Sequence, residues 1–334
     1  MKIKKIIAAA LVGVMVMVSV TGCFGEKGAS DKVVFYSNAD DEAVAAMEAA
    51  LKDGGYDGKY VFQSLGTSEL SGKLLAEGNK IEADFITMSS YYVEDAQKKE
   101  KMFKDLDFKV DTIKEYPSYA APTTSQEGSI FINTEVMKAK NLDVPKSIKD
   151  LANPKYKGLI SVADISTSST AWLLIQAIVS EYGDGEEGKA ILKNIYKNAG
   201  DHIESSGSAP LKKVRAGEVA IGFGLRQQAV ADSKDGLPIK SIDPIEGNFS
   251  LEEVIGVIDK GDETNPLAME MAKCIVSKAR PQLMKSYPMP LYKGEKLDEA
   301  NKPKYIKEFN EALTVKLLEK HIKFSDECKK AATK

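Results

Sequence analysis

Residues 33–51 read VVFYSNADDEAVAAMEAAL, and this stretch decides the fold class. Val33, Val34, Phe35 and Tyr36 form a short apolar run suited to a strand. Ser37, Asn38, Ala39 and Asp40 break it with a polar turn. Ala43, Val44, Met47 and Leu51 then recur at helical spacing, and Gly54 with Gly55 ends the helix. Strand, polar turn and helix in that order make one unit of a parallel α/β sheet with crossover helices. The unit repeats twice. Tyr60, Val61 and Phe62 lead through Gly66, Thr67 and Ser68 into a helix that reaches Leu75. Residues 84–88 lead through Ser89 and Ser90 into another.

A second α/β series lies further along. The stretch 116–124 is irregular, with Pro117 and Pro122, and 145–158 is a loop with a short helix. Strands are expected at 129–133, 159–162, 218–223, 239–242 and 254–258. Helices are expected over 171–182, 190–198, 226–233, 267–279 and 304–324, with 329–334 frayed. The middle series is inserted into the first, entered within 124–133 and left within 239–248. Two chain crossings make a hinge. The expectation is an α/β, two-lobe fold with a central cleft: residues 31–124 and 248–334 in lobe I, 125–247 in lobe II. A cleft between lobes is a preferred ligand site.

The front end is set apart from this pattern. Lys2, Lys4 and Lys5 precede an apolar run at 6–20, which is too short for a comfortable membrane span. Val20-Thr21-Gly22-Cys23 follows, a small-residue approach to a cysteine. Residues 1–22 read as a lipoprotein signal peptide, Cys23 as the lipidated residue, and 23–30 as the start of the mature chain and a flexible tether. An ordinary secretory signal with an incidental Cys23 is the competing reading. Lipid on Cys23 places the protein outside the cytoplasm, anchored to the cell membrane.

Composition narrows the chemistry. The formal charge is −3, and losing the three leader lysines makes it −6, which argues against nucleic acid. His202 and His321 are the two histidines, and neither C-x-x-C nor H-E-x-x-H occurs, so no metal centre and no cofactor are expected. Cys274, in a helical pattern, is read as a small buried apolar residue, and a disulfide between it and Cys328 is left open. There is no G-x-S-x-G or S-x-x-K motif, so an enzyme is not expected. An exported phosphoester or phosphonate hydrolase is the remote alternative.

Five polar turns stand between a strand and a helix. They hold Ser37, Asn38 and Ala39; Thr67 and Ser68; Ser89 and Ser90; Thr167, Ser168, Ser169 and Thr170; and Ser206 and Ser208. In an open α/β sheet the carboxyl ends of strands face the ligand crevice. Helix N-termini there present free N–H groups and partial positive charge, and hydroxyls add donors. Together they suit a phosphate-like group without fixed cations. Taken singly, each turn is equally a helix cap. Arg226 follows a strand and reads either as a bidentate oxyanion clamp or as a surface ion pair. Asp40, Glu69, Glu204, Asp243 and Glu246 are acids near the expected cleft, and Glu246 is taken with the ligand-binding set. Tyr91, Tyr92 and Phe249 are candidates to cover an alkyl part.

The segments VVFYSNADDEAV, ADFITMSSYY, SIFINTEVM, YKGLISVADISTSSTAW and GEVAIGFGLRQQAVADSKDGLPIKSIDPIEGNFSL carry a resemblance. The chain resembles the type II extracellular solute-binding proteins of ABC importers over most of 31–325, and the last segment is similar to the 2-aminoethylphosphonate-binding subgroup. The resemblance implies a periplasmic-binding-protein fold that closes its lobes over a small phosphonate, and delivery to ABC permease subunits in the membrane. It also implies a monomer that does no chemistry on its ligand. Ferric ion, thiamine and polyamine are the alternative ligands of related members. The amine of 2-aminoethylphosphonate would need an acidic partner.

Overall fold

A computed structural model describes residues 32–333. The leader at 1–22, Cys23 and the tether up to residue 30 lie outside the described residues. Three strand–helix units open the fold: β1 (Val33–Ser37) and α1 (Asp41–Asp53), β2 (Tyr60–Ser64) and α2 (Thr67–Glu77), β3 (Phe85–Ser89) and α3 (Ser90–Glu100). β1 pairs in parallel with both β2 and β3.

The next strand, β4 (Ala121–Asn133), is long and does two jobs. Its first half runs antiparallel to β9 (Ser250–Val257), which itself pairs with β3. From Gly128 onward it pairs instead with β7 (Ile221–Leu225) and β8 (Ile239–Ile242). β4 therefore leaves one lobe and enters the other without a break, and the chain returns through β9. The expected strand at 129–133 is only its second half. Pro122 does not stop the strand, because the ladder register shifts between Pro122 and Thr124, and a bulge is a place where proline is tolerated. Gly128 is required at the crossing: a Cβ there would lie 2.8 Å from the Phe223 ring and 2.9 Å from Leu173 Cβ.

The second lobe is completed by α4 (Thr134–Ala139), β5 (Ile160–Ala163), α5 (Thr170–Tyr182), α6 (Glu186–Ala199), β6 (Ile203–Glu204), α7 (Ala209–Arg215) and α8 (Arg226–Lys234). The sheet order is β2-β1-β3-β9-β4-β7-β5-β6, with β8 on β4. This is the two-lobe α/β fold expected. Near the chain end come α9 (Pro266–Cys274), α10 (Arg280–Ser286) and α11 (Val315–Ala332).

The first lobe buries apolar side chains on both faces of its sheet. Phe35, Met47, Phe85 and Met271 lie on one side, and Leu70, Ile86, Met88 and Phe103 on the other. The second lobe centres on Trp172, which is fully buried. The Trp172 indole N–H donates to His321 Nδ1 at 2.7 Å. Its ring also meets that of Tyr91, from α3 of the first lobe, edge-on at 4.9 Å.

Three expectations change at the C-terminus, the first being that the helix expected over 304–324 is α11, Val315–Ala332. The sequence assigns 248–334 to the first lobe, but Val315, Leu318, Phe324 and Cys328 of α11 join the core around Trp172. Helical periodicity gives the apolar face of α11 but not the lobe it covers. Nor does the helix fray from 329, since Cys328 is buried and α11 continues to Ala332. Cys274 and Cys328 are both buried and free.

Candidate functional site

Between the lobes lies a cleft of about 480 Å³, part of it open to solvent. The first lobe contributes Asn38 and Asp40 after β1, Gly66 and Thr67 after β2, Gln126 of β4 and Glu253 of β9. Facing them are Thr167, Ser168, Ser169 and Thr170 after β5, and Ser205, Ser206 and Gly207 after β6. The turns at the carboxyl ends of four strands meet here, as expected of a sheet crevice.

Asp164 shapes the hydroxyl-rich turn. Its Oδ1 accepts the Ser166 N–H and hydroxyl at 2.9 and 2.7 Å, and its carbonyl accepts the N–H groups of Thr167 and Ser168. Lys329 of α11 donates to Asp164 Oδ2 at 2.6 Å. Burial alone would raise the Asp164 carboxyl, but the bonds from Lys329 and Ser166 outweigh it and hold the group below its ordinary value. The ionised aspartate thus folds the chain back so that α5 begins with its N-terminus at the cleft. The other hydroxyl turn lies close by: a Cβ on Gly207 would fall 2.2 Å from Thr170 Oγ1 and 3.1 Å from Ser168 Oγ. Only glycine lets the two turns approach this closely.

The first-lobe wall is acidic. Asp40 Oδ2 accepts the Tyr287 hydroxyl and the Gln228 amide, each at 3.4 Å. Gln228 belongs to α8, so this contact crosses between the lobes. Burial, with the nearby Glu42 charge, pushes the Asp40 carboxyl up to about 6. Burial, with the Asp40 charge, pushes Glu253 up to about 8. Desolvation disfavours the charged form of each acid, and each charge disfavours the other.

The structure divides the residues proposed from sequence. Asn38, Thr67, Thr167, Ser168, Ser169, Thr170 and Ser206 line the cleft. Ser37 lies beneath it, fully buried, its hydroxyl 2.6 Å from Thr87 Oγ1 and accepting the Ala39 N–H. Ser37 and Ala39 shape the turn. The Ser68 carbonyl accepts the Ser71 hydroxyl inside α2. Ser89 is buried at the end of β3. Ser90 lines a different cavity, with Lys114, Glu252 and Phe309. Ser208 lines a neighbouring one, with Asp41, Lys212 and Arg215.

Arg226 and Glu246 are corrections. Arg226 does not line the cleft; its guanidinium binds Asp243 through Nε at 2.7 Å and donates to the carbonyls of Asn301 and Lys302. Glu246 is buried, and its carboxylate accepts the N–H groups of Ile148 and Lys149 and the Tyr182 hydroxyl. Both side chains are spent on holding loops. Gln126 and Glu253 were missed, because both sit in strands longer than the apolar runs that announce them.

The family scan matches residues 42–286 to the bacterial extracellular solute-binding proteins. The chain belongs to that family. Among curated proteins, an uncharacterized protein of Haemophilus influenzae is 30% identical over 117 residues, 35% of this chain and 33% of that one. The chain thus spans about a third of the length of that relative. Among solved structures, the periplasmic binding protein P5PA aligns with a TM-score of 0.71 at 16% identity, over 90% of this chain and 97% of that one. A periplasmic thiamin binding protein aligns at 0.73 and 14%, over 90% and 96%. AfuA from Actinobacillus pleuropneumoniae, solved with exogenous fructose-6-phosphate, aligns at 0.66 and 20%, over 90% and 96%. At these identities the likeness concerns the fold.

Proposed function

We propose that this chain is the ligand-capturing lipoprotein of an ABC-type importer and that it takes a small phosphonate, 2-aminoethylphosphonate first, without altering it chemically. The observation that carries the reading is the cleft wall built from Thr167, Ser168, Ser169, Thr170, Ser205 and Ser206, with the N-terminus of α5 behind it. Neutral hydroxyl and N–H donors at a helix N-terminus suit a tetrahedral oxyanion. Among the described residues no lysine or arginine lines the cleft, and no group of three or more His, Cys, Asp or Glu side chains is arranged to hold a metal ion.

Titration calorimetry with 2-aminoethylphosphonate, inorganic phosphate, fructose-6-phosphate, thiamine, spermidine and ferric citrate tests this. The phosphonate is expected to bind tightest and to be recovered intact. Ser168→Ala with Thr170→Ala is expected to weaken it by about tenfold or more, since a hydrogen bond to a charged group contributes about 1.5–3 kcal/mol. Tight binding of another ligand, with no heat from a phosphonate, would overturn the assignment, and turnover would favour a hydrolase.

The anchor is tested separately. Among the described residues no helix is long and apolar enough to cross a membrane. Membrane attachment is proposed to come from lipid on Cys23, on the strength of the Val20-Thr21-Gly22-Cys23 sequence. Cells fed labelled palmitate are expected to label the parent chain and not Cys23→Ala, which should appear in the medium or periplasm. Equal labelling of both chains would refute it.

A further inference from the structure

The acidic wall of the cleft has a property that its role as a plain boundary does not explain. Glu253 on β9 pairs in register with Ser89 on β3 and with Thr124 on β4. Directly paired residues of antiparallel strands project to the same face, so Ser89 and Thr124 stand on either side of Glu253 on that face. Ser89 is 1% exposed, Thr124 2% and Glu253 4%. Neither the Ser89 nor the Thr124 hydroxyl has a hydrogen-bond partner, and neither has the Asn38 side-chain oxygen. Buried polar atoms are otherwise almost always paired. Here the Asn38 oxygen lines the cleft with the two carboxyl groups, and the Ser89 and Thr124 hydroxyls stand next to Glu253 in the sheet.

Resting on the reading of the cleft given above, we infer that Asp40, Glu253, Asn38, Ser89 and Thr124 form a subsite for the ammonium group of a zwitterionic ligand. The chemistry of the wall selects the group. Two carboxylates, an amide oxygen and two hydroxyls all accept, and an ammonium offers three donors and a positive charge. A second anion would meet the charge on Asp40 and be repelled, whereas an ammonium favours the ionised form of Glu253 and draws off its proton. Asp40 also borders the neighbouring cavity, where Lys212 is the cation that acts on it, while Lys212 itself does not line the cleft. The ligand then lies across the cleft, its oxyanion on the second lobe and its cation on the first. Only the closed protein satisfies both ends. The acidic partner left open by the sequence is thereby assigned, and Glu253 carries the larger part because it is the more deeply enclosed.

The test compares ligands that differ by the amine alone. Calorimetry of the unmodified protein at pH 7 is expected to give at least about tenfold weaker binding of ethylphosphonate than of 2-aminoethylphosphonate. Asp40→Asn and Glu253→Gln are each expected to weaken 2-aminoethylphosphonate by about tenfold and to leave ethylphosphonate unchanged or improved. Equal affinity for the two phosphonates in the unmodified protein overturns the subsite while leaving the phosphonate reading in place, and needs no variant to fold. If neither phosphonate binds, the phosphonate reading has failed and the subsite is judged with putrescine and thiamine. Binding of either cation that Glu253→Gln abolishes upholds it; failure of both cations to bind refutes it.

Discussion

Arg226→Ala is expected to lower folding stability by about 3–5 kcal/mol, the usual cost of stripping one partner from a buried ion pair. The side chains of Arg226 and Asp243 are 9% and 15% exposed. Asp243 also accepts the Asn248 amide and the Lys304 N–H, while Arg226 serves the carbonyls of Asn301 and Lys302. The pair therefore fastens the return crossing between β8 and β9 to the segment leading into α11. Removing the guanidinium leaves a buried carboxylate and two carbonyls without their donor. Arg226→Lys should recover only part of the loss, because an ammonium cannot reproduce the planar fork. Urea denaturation measures the effect, and calorimetry below the new transition should find ligand affinity close to the parent value. A variant as stable as the parent that binds ten times more weakly would restore the oxyanion clamp read from the sequence.

Glu253→Gln should stabilise the ligand-free protein, and increasingly so as the pH rises. The carboxyl has an ordinary value near 4.5 and is pushed up to about 8 in the fold. Between those limits the folded chain holds a proton that the unfolded chain has released, so folding stability falls as pH rises. The loss begins near pH 4.5 and is complete above about pH 8. A shift of this size corresponds to a few kcal/mol, at about 1.4 kcal/mol per pKa unit. Glutamine keeps the shape and never ionises. Glu127, buried in β4 and also pushed up to about 8 by its burial, remains in both proteins and cancels in the comparison. Melting curves of parent and variant should coincide near pH 4.5 and diverge towards pH 8, with the variant higher. Parallel curves across that range would show that Glu253 is solvated.

Local patterns made the architecture readable and long-range packing made part of the site unreadable. The units begun by β1, β2 and β3 follow from apolar runs, polar turns and helical spacing within some twenty residues, and the turns at Asn38, Thr67 and Thr167 to Thr170 came with them. Glu252 and Glu253 break the apolar run of β9, so the sequence pattern starts the strand at Val254. Its true start at Ser250 depends on pairing with β4, more than a hundred residues earlier. Arg226 failed for the same reason. Its partners are Asp243 and two carbonyls about seventy-five residues away, and no spacing rule connects them. The core that α11 covers is likewise set by α5 and α6, from which a long stretch of chain separates it.

The buried tryptophan has a practical consequence. Trp172 is the only tryptophan in the chain, and its ring touches Tyr91 from the opposite lobe at 4.9 Å. Indole emission is sensitive to such a neighbour, so parting the lobes changes its colour or intensity. The molecule carries its own unlabelled gauge of opening and closing, readable in a stopped-flow cuvette on the timescale of hinge motion.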